Sequence, residues 1–219
     1  EFIGAIGRPL CNTQMGKGVV DESSDYFLGT AALSDKDYLH DYIKEADLIV
    51  NIGHDVVEKP PFFMEHNGAK VIHINYKSAQ VDQVYFPQIE VVGDIALSVD
   101  ALADALGSKL DLDLRDFEKV RDNVKREIYR LDDEPSFPMR PQHIVSEIRN
   151  LMGYHDIIAL DNGVYKIWFA RNYLAFQPNT ILLDNALATM GAGLPSAMLA
   201  AMIHPNRKVM SICGDGGFM

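Results

Sequence analysis

The chain has 219 residues, 47% of them hydrophobic and 23% charged, with a net charge of −11. That length suits one large globular domain or two smaller ones. The acidic balance argues against a nucleic-acid or anionic-membrane partner, and no apolar run is long enough to span a bilayer.

Residues 1–6 read as the end of a helix closed by Gly7, and residues 9–12 as a short strand. The turn Thr13-Gln14-Met15-Gly16-Lys17-Gly18 follows, either a plain loop or a ligand-facing loop at a sheet edge. Ser34 or Asp35 caps a helix running to about Ala46, with Tyr38, Leu39, Tyr42 and Ile43 at helical spacing. Residues 48–53, 71–75 and 89–94 read as buried strands, and Asp94 can cap the next helix, which runs to about Leu106. This alternation predicts a doubly wound parallel sheet over a first domain, residues 1–109. His54-Asp55, Asn75-Tyr76 and Gly93-Asp94 follow strand ends, so they share one edge of that sheet. Each alone reads as a turn or a cap; together they outline a nucleotide-sized crevice.

Residues 110–131 are highly charged, with Leu112, Leu114, Phe117, Val120, Val124 and Ile128 as apolar positions, and read as a mostly exposed helix. Pro135, Pro138 and Pro141 then exclude regular structure, so residues 110–140 form a helix and linker between domains. A second α/β domain, residues 141–219, begins with a helix to Met152 that stops at Gly153. Strand 157–161 leads through Asn162-Gly163 into a helix from Val164 to Tyr173. Strand 181–183 is followed by a small-residue loop, 186–193, with Met190 inside it. An Ala- and Met-rich helix, 194–203, reads as buried, with Pro195 in its first turn, where no amide donor is missed.

The chain closes on strand 208–213 and the turn Gly214-Asp215-Gly216-Gly217. The strand is apolar enough to be covered on both faces, as in a parallel sheet. Asp215 then stands at the carboxyl end of a parallel strand, where open α/β sheets place ligands. It is either the acidic tip of a tight turn or a carboxylate suited to a hard cation carrying a phosphate. Cys11 and Cys213 lie in strand-like apolar settings and are expected to be buried free thiols in a reducing, cytoplasmic compartment. No fixed-period repeat or low-complexity tract is present.

Three stretches taken together, Asp161 to Trp168, Ala188 to Pro195 and Gly214 to Phe218, resemble the diphosphate-binding domain of thiamine-diphosphate enzymes, the acetolactate (acetohydroxyacid) synthases above all. Residues 12–18, 46–53 and 92–94 are similar to the central domain of the same enzymes. The resemblance covers essentially the whole chain. It also implies that the amino-terminal domain, with the glutamate that activates the cofactor, lies outside this sequence. The sequence is therefore expected to be an internal fragment, inactive alone, with no catalytic residue of its own.

The resemblance implies that Asp215 binds Mg²⁺, which bridges to the diphosphate of thiamine diphosphate. Gly214, Gly216 and Gly217 would face the same phosphates, as would Asn162, Gly163 and Val164 on the neighbouring strand end. Tyr165 stands where many relatives carry His. Met190 matches the residue that wedges under the bent cofactor, and the backbone of Ala188 and Met190 would bond its pyrimidine. The implied reaction is decarboxylation of pyruvate and carboligation to a second 2-oxo acid, as in branched-chain amino acid biosynthesis, by a homo-oligomer, dimer or tetramer. Another thiamine-diphosphate decarboxylase or carboligase is the enzyme alternative; a nucleotide-binding or regulatory module without chemistry is the other. The resemblance also implies a crevice for a non-redox FAD lined by residues 13–16, Asn75, Gly93 and Asp94. The stretch 53–60 lacks the Asp-Asp-Arg run of flavin-binding members, so FAD is expected to bind weakly or not at all.

Overall fold

The computed structural model describes residues 7–31, 33, 38–54, 64–107, 114–185 and 187–219. In chain order its elements are β1 (Leu10–Asn12), β2 (Phe27–Thr30), α1 (Tyr38–Ile43), β3 (Leu48–Ile52), β4 (Lys70–Asn75), β5 (Ile89–Val92), α2 (Ile95–Leu106) and α3 (Arg115–Tyr129). They continue with α4 (Pro141–Leu151), β6 (Ile157–Leu160), α5 (Tyr165–Asn172), β7 (Ile181–Leu183), α6 (Gly193–Ile203), β8 (Val209–Ile212) and α7 (Asp215–Phe218). The expected helix end before Gly7, the caps Ser34 and Asp35, and Asp55 lie outside the described residues.

The chain groups into two compact units: Glu1–Leu10 with Ser34–Val120, and Cys11–Leu33 with Arg121–Met219. The division falls within α3, ahead of the proline-rich stretch. Segment Cys11–Leu33 joins the second unit because its polar groups are used there. The Glu22 carboxylate accepts from Ala175 N at 2.9 Å, and Glu22 N donates to Ala175 O at 3.1 Å. The same carboxylate accepts from Asn12 Nδ2 and Lys17 Nζ, both at 2.8 Å, and from Gly18 N at 3.1 Å. Lys17 and Glu22 are both buried, so each ion needs the other and these added donors to offset lost water.

The first unit holds a parallel sheet in the order β3-β4-β5, with Ile52 opposite Ile74 and Asn75 opposite Val92. Val71, Met64 and Tyr85 form its buried apolar cluster, backed by Ile49 and Ala79. Of the three strands expected to be buried, only β4 is. β3 alternates exposed and half-buried residues, and β5 is exposed along its length. Among the described residues they are the outer strands, each with a hydrogen-bonded neighbour on one side only. Asp94 caps α2 as expected, its Oδ1 accepting from Leu97 N at 2.9 Å.

The second unit holds a parallel sheet in the order β7-β6-β8. Its middle strand is Ile157-Ile158-Ala159-Leu160, buried at every residue, as an apolar strand covered on both faces must be. Val145 and Met152 from the α4 region, Phe169 and Tyr173 from the α5 region, and Ile181 complete the core. β8 is half-buried throughout rather than covered on both faces, because it is an outer strand. α6, expected to be buried, is one-sided: Gly193, Ala197 and Ala200 are buried while Met198, Leu199, Met202 and Ile203 are exposed. Its small residues permit close approach. A Cβ on Gly193 would lie 2.7 Å from the backbone N of Asp161. α3 buries Phe117, Val124 and Ile128 and exposes its charged face, as its spacing predicts. Both thiols are free, but neither is buried: Cys11 is exposed and Cys213 half-buried. Among the described residues no helix is long and apolar enough to cross a membrane.

Candidate functional site

Parallel pairing brings three strand ends to one edge. Leu160, the last residue of β6, pairs with Leu183 of β7 and with Ile212 of β8. The turns that follow these three strands are therefore neighbours, at the carboxyl edge of the sheet where such folds place ligands.

The turn after β6 begins with Asp161, which is fully buried. Its carboxylate accepts from Asn162 N at 2.7 Å, and each oxygen lies 2.9 Å from Gly191 N. Burial pushes its pKa up; the N–H groups of Gly191, Asn162, Ala192 and Gly193 outweigh that and hold it below the usual carboxylate range. Asn162 Nδ2 donates to Thr189 O at 2.9 Å. Val164, exposed, precedes the first residue of α5. Lys166 is buried in the first turn of α5, with Nζ 2.6 Å from Asn162 Oδ1, 2.9 Å from Asn185 Oδ1 and 3.1 Å from Asp184 O.

The second turn, after β7, carries Ala188 and Met190. Ala188 holds a left-handed backbone, φ 50°, that an alanine adopts only where its surroundings impose it. Gly191 follows with φ 86°, where glycine meets no such penalty. Met190 is exposed at this edge.

The third turn, after β8, is Gly214 to Gly217. Gly214 N donates to the phenol oxygen of Tyr165 at 3.1 Å. Burial pushes the Tyr165 pKa up, against the opposing effect of that N–H. Asp215 is exposed at the head of α7, its Oδ1 accepting from Gly216 N at 2.9 Å. Glycine is required on steric grounds at two positions: a Cβ on Gly217 would collide with the Asp161 carboxylate, and one on Gly163 with the Tyr165 ring. A Cβ on Gly216 would sit 3.2 Å from the Met190 methyl, the movable end of an exposed side chain.

The structure thus brings together Asn162, Gly163, Tyr165, Met190, Gly214, Gly216 and Gly217 through direct contacts, with Val164, Ala188 and Asp215 on the same three turns. Tyr165 takes a polar role, its phenol oxygen accepting from Gly214 N. Sequence reasoning passed over Asp161, Lys166 and Asp184 as site residues. The signal for Asp161 was a carboxylate directly after a wholly apolar strand; for Lys166 it was a lysine one helical turn beyond Asn162.

Among the described residues no group of three or more His, Cys, Asp or Glu side chains could hold a metal ion by itself. A cation at Asp215 would draw most of its ligands from phosphate oxygens and water. That donor set suits Mg²⁺, which keeps several waters and uses one or two carboxylates beside a bound phosphate. The cradle fits a diphosphate in the same sense: at two of its positions no side chain can be added.

Residues 1–102 match the family "Thiamine pyrophosphate enzyme, central domain" and residues 161–219 match "Thiamine pyrophosphate enzyme, C-terminal TPP binding domain". The chain is 29% identical to an acetolactate synthase of Bacillus subtilis (strain 168), over 100% of the chain and 39% of that relative. It is 31% identical to a catabolic acetolactate synthase of Raoultella terrigena, over 93% of the chain and 37% of the relative. A third relative, YdaP of Bacillus subtilis (strain 168), is named only as a thiamine pyrophosphate-containing protein. It is 26% identical over 100% of the chain and 38% of its own length. The chain therefore spans about two fifths of the length of these curated relatives.

Proposed function

Because this chain belongs to the thiamine pyrophosphate enzymes and carries their central and cofactor-binding domains, we propose that it is part of an acetolactate synthase. The reaction would decarboxylate pyruvate and join the two-carbon product to a second 2-oxo acid. The observation that carries this reading is the convergence of three strand-end turns on one edge, two of their glycines admitting no side chain.

In this reading Asp215 ligates Mg²⁺, and the backbone of Gly214, Gly216, Gly217, Asn162, Gly163 and Val164 faces the diphosphate. The N-terminal end of α5 adds its positive dipole end to the same place. Met190 supports the middle of the cofactor, and the backbone of Ala188 and Met190 bonds its pyrimidine. Thiamine diphosphate, when bound, supplies the electron sink for carbon–carbon bond cleavage. The protein supplies position: Asp161 and Asn162 fix the loop that carries Met190, by bonds to Gly191 N and Thr189 O. A cytoplasmic homo-oligomer acting on small 2-oxo acids completes the proposal. The similarity to YdaP favours, as second reading, another thiamine-diphosphate decarboxylase or carboligase.

The test is a titration of the full-length protein with thiamine diphosphate and magnesium, followed by assay with pyruvate. Saturable, Mg²⁺-dependent binding and acetolactate formation are expected. Binding without acetolactate, together with turnover of another 2-oxo acid, selects the second reading. Asp215→Ala removes an anionic ligand from an exposed turn, so it should weaken cofactor affinity by about tenfold or more while leaving the melting temperature unchanged. Unaltered affinity would reduce Asp215 to a turn residue.

A further inference from the structure

Lys166 is a buried cation that the proposed chemistry does not use. Its exposure is 7%, and it sits in the first turn of α5. An ammonium in such a place is costly unless its donors are met. Lysine has three N–H donors and no acceptor, and here three oxygens receive them: Asn162 Oδ1, Asn185 Oδ1 and Asp184 O. These oxygens come from two of the three turns at the site, one after β6 and one after β7.

The consequence lies in the Asn162 amide. Lysine can only donate, so the amide oxygen must face Nζ and the amide nitrogen must face away from it. That nitrogen is the donor to Thr189 O at 2.9 Å. The loop is held a second time by the Asp161 carboxylate at Gly191 N. Between these anchors lies Met190, and directly before them Ala188 at φ 50°. Without Lys166 the Asn162 amide is oriented by Thr189 O alone, the Thr189 anchor weakens, and a loop with a strained alanine depends more heavily on the Gly191 anchor.

We propose that Lys166 is a positioning residue: it orients the Asn162 amide and thereby fixes the loop that presents Met190. Its consequence for the cofactor rests on the reading of Met190 as the cofactor's support. Two variants of the full-length protein test it. Lys166→Met keeps chain length and removes every donor. Asn162→Asp keeps an oxygen for Lys166 but cannot donate to Thr189 O, so it breaks the same relay without leaving a buried lysine unmet.

Hydrogen exchange in the ligand-free protein is the first measurement. Both variants should speed amide exchange at residues 187–191 by about tenfold, as local opening becomes easier, with β6 protected as in wild type. The second measurement uses thiamine diphosphate and Mg²⁺. In Lys166→Met affinity should change by less than about threefold, because the diphosphate turns keep their residues, while proton exchange at the thiazolium carbon slows by about tenfold or more. Exchange at 187–191 as slow as in wild type in Lys166→Met would overturn the assignment, whatever Asn162→Asp shows. Wild-type protein that binds no thiamine diphosphate would instead overturn the reading of the site, and loop exchange would still decide the role of Lys166. Should Lys166→Met not fold, loop exchange in Lys166→Ala, where water can reach the freed oxygens, decides between the two outcomes.

Discussion

Asp161 shows what a single side chain can organise. It is fully buried, yet four backbone N–H groups hold its pKa below the ordinary carboxylate value. A group whose folded pKa is depressed adds stability above its unfolded pKa, about 3.9 for Asp, and loses it as pH falls through the folded value. The Gly191 anchor should therefore hold at neutral pH and loosen only below about pH 4. Asp161→Asn removes the charge and one acceptor oxygen, so it should loosen the loop at pH 7 and flatten the acid limb of the stability curve. The check is urea denaturation of wild type and variant between about pH 3 and pH 7; parallel curves would show that the carboxylate contributes nothing specific. None of this was legible from residue order. A carboxylate after an apolar strand is visible in the sequence, but its partner lies 30 positions away, across a sheet whose strand order had first to be known. Asp215 was legible because its glycine neighbours announce a turn, and the turn is local.

At the scale of elements, the strands other than β2 (Phe27–Thr30) were legible and their surroundings were not. Each strand read from the apolar runs is present, because a run of Ile, Leu and Val bounded by Gly or Asp needs only local information. Burial depends on which strand is in the middle, and that is a property of the sheet. Hence β6 and β4 are buried while β3, β5 and β8 are less so. The turn at residues 13–18 is the sharper case. Its glycines suggested a ligand-facing loop, but the Gly18 backbone, φ 79°, packs so closely on Gln177 that a Cβ would lie 2.5 Å from the carbonyl oxygen. Lys17 in the same turn is spent on Glu22. Glu22→Gln would leave the Lys17 ammonium buried without its counter-ion, and breaking a buried pair from one side costs about 3–5 kcal/mol. The double variant Lys17→Met with Glu22→Gln should recover part of that loss, since no unpaired charge then remains. Denaturant midpoints of the three proteins decide the matter. A Glu22→Gln variant as stable as wild type would mean that the pair does not tie segment 11–33 to the residues around Ala175.

For the molecule as a whole, the open question of ligand chemistry concerns the first unit. Parallel strands β3, β4 and β5 give it an edge of the kind that binds nucleotides, and a shallow cleft lined by His54, His73, Asn75, Lys77, Gln80 and Tyr85 lies there. The side chains that outlined a crevice in the sequence are committed elsewhere. Asn75 Nδ2 donates to His54 O at 2.9 Å, and Asn75 Oδ1 accepts from Tyr76 N at 2.8 Å. Asp94 Oδ1 is the cap of α2. His73 has both ring nitrogens in contact, one 2.8 Å from Tyr85 OH and the other 3.1 Å from Lys77 O. Arginine offers a diphosphate a fixed, always-charged donor fork, and among the described residues the cleft lining contains none. The stretch 55–60, where the sequence lacks the Asp-Asp-Arg run, lies outside the described residues. A net charge of −11 adds long-range repulsion toward a dinucleotide. FAD should therefore not be retained. The absorption spectrum of the purified full-length protein is expected to lack a stoichiometric flavin band, and added FAD at about 1 μM should remain unbound, which corresponds to a binding free energy weaker than about −8 kcal/mol. One flavin per chain surviving gel filtration would overturn this, and would mean that backbone N–H groups at the strand ends hold the diphosphate without an arginine.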